Sequence, residues 1–449
     1  MHAPRPRLPG AGLMTAAISE SMRLARFKRL TSGESKGLHG GLLVLLDQGI
    51  VSGLSFLTGV LVARSSSKAE FGLYTLCLTI LFMAQNVQQS LVSTPYTVFS
   101  PRRSQAERLF FTGSLVLMQL VLGAVLIALA YSVGGFLTGF EEYANLGPVL
   151  LCLCLALEFC LFKEFARQVN FSHGWNGHAL RLDAVVFVLQ CGVVGWLFLS
   201  GGLNPQRVFL AMGGACAAAV AYWLYGLRGR VCISRAHLRT DLNTIFSFGV
   251  WPFLAGITLL ATNQSYPWFL TSFHGAQATG ELAAVLGIIN IINPLMLGIG
   301  NYLGPSIMRQ YSEGGASALH RFVVKTTILL IACMAVFCVA MALLGGQLAA
   351  FVYGPGYAGV GPVIGLMSLG VAADVASFGF RGGIMALEQP RRLLHINLVQ
   401  LALCVGLAFA LIPPYGKIGV GLTMALCNAA ALGLRILAYR HAFSQRGRT

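Results

Sequence analysis

The sequence predicts an all-α integral membrane protein with about 12 transmembrane helices in two six-helix halves. Composition, the length of the apolar runs and the distribution of basic residues lead to this prediction. Of the 449 residues, 56% are hydrophobic and only 10% are charged. A water-soluble surface needs about 25–35% charged residues. Most of this surface must therefore face lipid, and a soluble enzyme is excluded.

Twelve apolar runs are long enough to cross a bilayer, which takes about 20 residues of helix. They lack the alternation of strands in a membrane barrel, so they predict helices. The six runs of the first half lie near residues 41–63, 71–97, 110–131, 146–166, 179–199 and 207–227. The six runs of the second half lie near residues 244–270, 279–303, 322–344, 361–384, 393–413 and 416–438.

Basic residues indicate the direction of the spans, because Lys and Arg concentrate in cytoplasmic loops. With the N-terminus inside, only four of the 31 Lys and Arg residues fall on the outer side. These four are Arg64, Lys68, Arg207 and Lys417. The ratio predicts that both termini are cytoplasmic. It also explains most of the net charge of +16 as a topology signal.

Short sequence similarities relate the two halves. The segment 143–149 (YANLGPV) before span four matches 357–363 (YAGVGPV) before span ten, and at the same offset Arg167 aligns with Arg381. Each half has an even number of spans, so the halves are predicted to be parallel repeats about an axis along the membrane normal. The predicted units are a basic cytoplasmic tail (1–40), an N-terminal half (41–230), a C-terminal half (231–440) and a short cytoplasmic tail (441–449).

Polar side chains recur on one face of spans two and eight. Because polar groups in lipid are costly, we expect them to face a hydrated cavity between the halves. The alternative is that they join neighbouring helices by hydrogen bonds. The predicted cavity residues on these spans are Gln85, Gln88, Gln89, Asn290, Asn293 and Asn301.

Three carboxyl groups within spans are candidates for coupling transport to H⁺ or Na⁺: Asp47, Glu158 and Asp374. Such intramembrane ionisable residues often mark ion pathways. For Asp47 the alternative is an ion pair with a basic neighbour at the inner interface. Glu158 and Asp374 lie at near-equivalent positions of the repeat.

Three arginines at span ends are candidates for contact with an anionic substrate. Arg167 and Arg381 close spans four and ten on the inside, and guanidinium groups suit phosphate through paired hydrogen bonds. The alternative is that they reach to the lipid headgroups. Arg64 either anchors the outer end of span one or meets a departing substrate.

The sequence has no nucleotide-binding GxxxxGK and no metal-binding HExxH. It predicts neither a catalytic nor a metal site, and no cofactor beyond a coupling ion. The protein is therefore expected to be a transporter rather than an enzyme.

Several short motifs resemble bacterial polysaccharide transporters, the O-antigen flippase-like family of the multidrug/oligosaccharidyl-lipid/polysaccharide exporter superfamily. They are Asp47-Gln48, Ser55-Phe56, Ala63-Arg64, the segment 69–74 (AEFGLY), the segment 280–284 (GELAA), Pro305-Ser306, Tyr353-Gly354, the segment 356–358 (GYA), Tyr415-Gly416 and the segment 419–421 (GVG). In this order they cover about residues 40–440.

The resemblance implies a V-shaped pair of bundles, like that of multidrug MATE transporters, in the bacterial inner membrane. It implies a flippase that translocates an undecaprenyl-pyrophosphate-linked or similar oligosaccharide by alternating access. The expected partners are this lipid-linked oligosaccharide and membrane lipids, with a polysaccharide polymerase and glycosyltransferases as candidates and no nucleic acid. The alternatives are a multidrug cation antiporter of the same superfamily and, more weakly, a membrane-embedded glycosyltransferase or ligase.

Overall fold

A computed structural model describes residue 43 and residues 46–100, 103–226 and 235–446 of the chain. The predicted N-terminal tail lies outside these residues, as do residues 227–234 at the junction of the two predicted halves. Within the described ranges all regular structure is helical, and ten helical runs are long and apolar enough to cross a membrane. The prediction of an all-α membrane protein is confirmed.

Six helices form the N-half, which we define as residues 46–226. Spans one to six are Leu46–Ser65, Lys68–Phe99, Gln105–Leu137, Leu146–Ser172, Asn176–Leu199 and Pro205–Gly226. Capping boxes start spans two and three, where the hydroxyls of Ser67 and Ser104 accept hydrogen bonds from the backbone of Glu70 and Glu107. These caps lie outside the apolar runs, so the helices are longer than hydropathy alone predicts.

Three glycines divide the long helical runs of the C-half, residues 235–446. Gly275, Gly315 and Gly416 interrupt Arg235–Ile289, Asn293–Tyr353 and Pro390–Arg446, each with a positive φ that only glycine adopts readily. Spans seven to twelve are therefore 235–274, 276–314, 316–353, 361–386, 390–415 and 417–446. Together the two halves contain the twelve predicted spans.

Large apolar side chains cover the outside of the helical bundle. Val125 and Leu129 of span three are more than half exposed, and so are Ile328, Val336 and Leu343 of span nine. In water this surface would cause aggregation, whereas in a bilayer it faces the lipid tails. The chain is a multi-pass membrane protein.

Two separate apolar cores indicate that the halves are joined mainly at one end. The larger core mixes both halves, with Leu76 and Leu153 beside Leu282 and Ile364. The second core, which includes Ile307 and Tyr439, contains only C-half residues. It lies toward the end that the charge pattern predicts to be cytoplasmic. This arrangement agrees with a V-shaped pair of bundles that meet at the predicted outer end.

The start of span seven is attached to the N-half. The carboxylate of Asp241 accepts hydrogen bonds from Arg103, at 2.7 Å, and from Ser114, at 2.8 Å. Its side chain is only 3% exposed. Because these contacts anchor the first turns of span seven, a relative movement of the halves must bend this span rather than displace it as a whole.

Candidate functional site

Backbone contacts between spans two and eight close the end that the charge pattern predicts to be the outer one, which we call the outer end. A Cβ built on Gly72 would overlap the carbonyl of Ala276, and one built on Gly280 would overlap the carbonyl of Lys68. Glycine is required at both places because the helix backbones touch. The two halves therefore meet here without intervening side chains.

A cluster of charges reinforces this contact, and we call it the outer clamp: Arg64, Lys68, Glu281 and Lys417. Lys68 Nζ of the N-half lies 2.7 Å from Glu281 Oε1 of the C-half, and Lys417 binds the other oxygen of the same carboxylate. Arg64 crosses between the halves and donates to the carbonyls of Phe351 and Val352. Two of the four basic residues predicted to lie outside, Arg64 and Lys68, therefore hold the halves together, while the third, Lys417, binds Glu281 within the C-half. The fourth, Arg207, bonds locally to Gly202.

The predicted cavity residues occupy different environments. Gln89, Asn290 and Asn293 are exposed in the middle of spans two and eight, and Gln85 is half-buried. Gln88 instead is buried, and its amide donates to Ser93. The side chain of Asn301 lies outside the described part of the chain. The exposed amides lie several helical turns from the glycine contact on the same two helices. That they line a hydrated cavity stays a prediction.

An ionic cluster occupies the third of the N-half that is predicted to be nearest the cytoplasm. Arg167 Nε lies 3.0 Å from Asp47 and 3.1 Å from Asp183, and its Nη1 lies 3.2 Å from Glu164. Lys163 also binds Glu164 and Asp183. The cluster contains three carboxylates and two cations, so it carries an excess negative charge when all are ionised. Asp47 is fully buried and paired with a basic residue, as the ion-pair alternative predicts.

A second cluster occupies the equivalent region of the C-half, with the opposite balance of charge. The carboxylate of Asp374 lies 3.2 Å from both Arg381 and Arg435. The Arg435 side chain is only 1% exposed, and it also donates to Ser377 and Gln400. Two cations share one carboxylate, which leaves an excess positive charge. Arg381 is 26% exposed, compared with 15% for Arg167.

Glu158 lies apart from both clusters, in the middle of span four. Its carboxyl group packs against Gly123 of span three, where a Cβ would overlap it. Gln119 is the polar group beside it. No cation pairs with Glu158 among the described residues.

Sequence reasoning missed four charged members of these clusters: Lys163, Glu164, Asp183 and Arg435. Arg435 lies within predicted span twelve, and Asp183 lies within predicted span five. A charged residue inside an apolar run was the available signal, since such residues are rare unless they face a partner or water. The sequence did not show which helices provide the partners.

Comparison with known families matches residues 38–309 to the model of the polysaccharide biosynthesis protein family. This match covers more than half of the chain. The protein belongs to this family. No curated protein matches the sequence.

Solved structures of the superfamily share the fold at low identity. An inward-facing multidrug resistance MATE family transporter has a TM-score of 0.76 at 13% identity, covering 88% of this chain and 95% of the other. The lipid II flippase MurJ in an inward closed conformation has a TM-score of 0.71 at 12% identity, covering 90% and 89%. An outward-facing MATE transporter has a TM-score of only 0.60 at 13% identity, covering 91% and 95%. The chain thus superposes better on the inward-facing structure, in agreement with the contact between the halves at the predicted outer end.

Proposed function

We propose that this protein is a flippase that moves an undecaprenyl-pyrophosphate-linked or similar oligosaccharide across the bacterial inner membrane. Both termini are cytoplasmic in this proposal, and transport proceeds by alternating access. The excess positive charge of the C-half cluster is the observation that carries it. A pyrophosphate carries negative charge into the cleft, and only a region with surplus cations compensates it.

Arg381 is the better of the two predicted phosphate-binding arginines. Arg167 is surrounded by three carboxylates, so an approaching phosphate meets negative charge there. Arg381 shares one carboxylate with Arg435 and keeps part of its guanidinium accessible. Phosphate at Arg381 takes the place of Asp374 as its partner, while buried Arg435 keeps Asp374 in position.

The amides of spans two and eight suit the sugar portion of the substrate. Gln85, Gln89, Asn290 and Asn293 offer donors and acceptors without charge, which matches hydroxyl-rich sugars. Opening of the outer clamp then releases the oligosaccharide on the far side. Membrane lipids surround the cleft. In this proposal glycosyltransferases act before the flippase in polysaccharide synthesis, and a polysaccharide polymerase acts after it. No chemical bond changes, so the protein acts as a transporter and not as an enzyme.

Coupling to H⁺ or Na⁺ is assigned in this proposal to the carboxyl groups within the spans, Asp47, Glu158 and Asp374. Each lies in a different environment: a buried negative cluster, an unpaired position and a pair of arginines. A carboxyl that gains and loses a cation changes the local charge by one unit. Such a change shifts the equilibrium between the two conformations, because it alters the free energy of burying the carboxyl group in each of them.

The proposal is tested by measuring flipping of a fluorescent lipid-linked oligosaccharide in proteoliposomes. Arg381→Ala removes a charge-assisted contact that contributes about 1.5–3 kcal/mol, so the rate at limiting substrate falls about 10- to 100-fold. Arg309→Ala is the matched control, because Arg309 is 73% exposed and pairs only with Glu313 along its own helix. Equal rates for Arg381→Ala and the wild type would remove this arginine from the mechanism, and no flipping by the wild type would refute the function.

A multidrug cation antiporter is the second candidate, favoured by the excess carboxylate of the N-half cluster. A cationic drug that displaced Arg167 would find three acidic groups nearby. Uptake of cationic dyes, abolished by Asp47→Asn and unaffected by Arg381→Ala, would support this function over the flippase.

A further inference from the structure

We propose that Glu158 and Gln119 form a proton-binding site in the middle of the N-half, and that the proton bound there is the coupling ion. Glu158 binds it as a neutral carboxylic acid beside the Gln119 amide. The role of the proton as coupling ion rests on the proposed transport function. The protonation itself is independent of what the protein transports.

The site is a niche between spans three and four. Gly123 leaves the space that the carboxyl group occupies, since any larger residue would overlap it. Both carboxyl oxygens are shielded from solvent, and so are both polar atoms of Gln119, whose side chain is fully buried. In the described part of the chain none of these four atoms has a hydrogen-bond partner. A bare charge in such a place costs several kcal/mol, whereas a neutral acid beside an amide costs far less.

No neighbouring charge favours the ionised form. Of the helices that pack against span four, span two contributes the Cys77 thiol, span six the Cys216 thiol, and span five Asp183, whose carboxylate binds Lys163 and Arg167. The nearest charged groups on span four itself are Lys163 and Glu164, more than a turn away, and they bind each other and Asp183. Gln119 alone faces the carboxyl from span three.

The ligand set suits a proton better than a metal ion. The niche offers the carboxyl oxygens and one amide oxygen, whereas hard cations such as Mg²⁺ and Ca²⁺ take six or more oxygen ligands. Among the residues described, no group of three His, Cys, Asp or Glu side chains could hold a metal ion. A proton needs only one carboxyl oxygen, and the amide oxygen of Gln119 then accepts the hydrogen bond of the acid.

Infrared spectroscopy of the reconstituted full chain tests the bound proton directly. A protonated carboxyl has a carbonyl stretching band that carboxylates lack, and we expect this band at neutral pH. Glu158→Gln removes it, while Glu313→Gln, which changes an exposed surface carboxylate, leaves it unchanged. Gln119→Leu shifts the band to higher frequency, because the acid hydroxyl loses its hydrogen bond to the amide oxygen. A band that persists in Glu158→Gln overturns the site.

A pH gradient imposed across proteoliposomes tests the coupling. The wild type flips the lipid-linked oligosaccharide faster with the gradient, and Glu158→Gln, which imitates the permanently protonated state, flips at the same rate with and without it. If Glu158→Gln removes the infrared band but keeps the full response to the gradient, the proton is not the coupling ion and the inference fails. If the wild type flips no substrate, the proposed function fails, and the infrared result still decides whether Glu158 binds a proton.

Discussion

The outer clamp contains two lysines on one carboxylate, and only one of them joins the two halves. Lys68 belongs to the N-half, whereas Lys417 and Glu281 both belong to the C-half. We therefore expect Lys68→Gln to weaken the closed outer end. Lys417→Gln should leave the connection between the halves intact, because the Glu281 carboxylate then still accepts the hydrogen bond of Lys68.

The size of the effect follows from the geometry of the pair. A hydrogen bond to a charged group contributes about 1.5–3 kcal/mol. The side chains of Lys68 and Glu281 are 28% and 18% exposed, so water compensates part of the loss. A net cost of about 1–2 kcal/mol shifts the balance between closed and open outer ends by roughly 5- to 30-fold.

Distances between spin labels at the outer end measure this balance. Ser200→Cys and Gln277→Cys place labels on exposed positions of the two halves, in a background without accessible native cysteines. The Lys68→Gln variant should show an added population at longer distance, and Lys417→Gln should match the parent. Equal opening in the two lysine variants, or none in either, would show that the cross-half ion pair does not stabilise closure.

Three further predictions concern packing and the buried clusters. Gly280→Ala should open the outer end more than Lys68→Gln in the same label experiment, since its Cβ would overlap a backbone carbonyl, while Gly59→Ala, with no atom near its Cβ, should not. Arg435→Ala should lower the free energy of unfolding in detergent by about 2–4 kcal/mol, because it leaves buried polar partners unpaired. Asp183→Asn should cost about 1–3 kcal/mol in the same unfolding assay, since Lys163 and Arg167 lose a shared partner. Arg309→Ala, the control for both, should stay within about 0.5 kcal/mol of the wild type.

Hydropathy was sufficient to predict the spans, because lipid demands a continuous apolar helix at each crossing. Pairing of Asp47 with a basic neighbour was also foreseeable, since a buried carboxylate needs a partner. The directions in which the polar side chains of span two point were not foreseeable from the sequence. A π-helical turn at Gln89–Ser93 adds a residue to the helical repeat, so positions assumed to share one face diverge. Just before this turn, Gln88 points into packed protein, while Gln89, about 100° further round the helix, is exposed.

The charged clusters show a second reason why the sequence could not predict the whole site. Arg435 and Asp374 are 61 residues apart in the chain, and only the packing of span twelve on span ten brings them together. The net charge of each cluster, which carries the functional argument, depends on such long-range contacts. No local pattern in the sequence contains that information.

The glycine contact between spans two and eight also has an electrical consequence. Where Gly72 and Gly280 bring two backbones together, there is no room for a file of water molecules. In the proposed flippase the cleft below this contact is hydrated, so most of the membrane potential falls across the thin closed layer. Moving one elementary charge across a potential difference of 100 mV changes its free energy by about 2.3 kcal/mol. The lysines of the outer clamp lie in this layer, and flipping should therefore respond to voltage as well as to substrate.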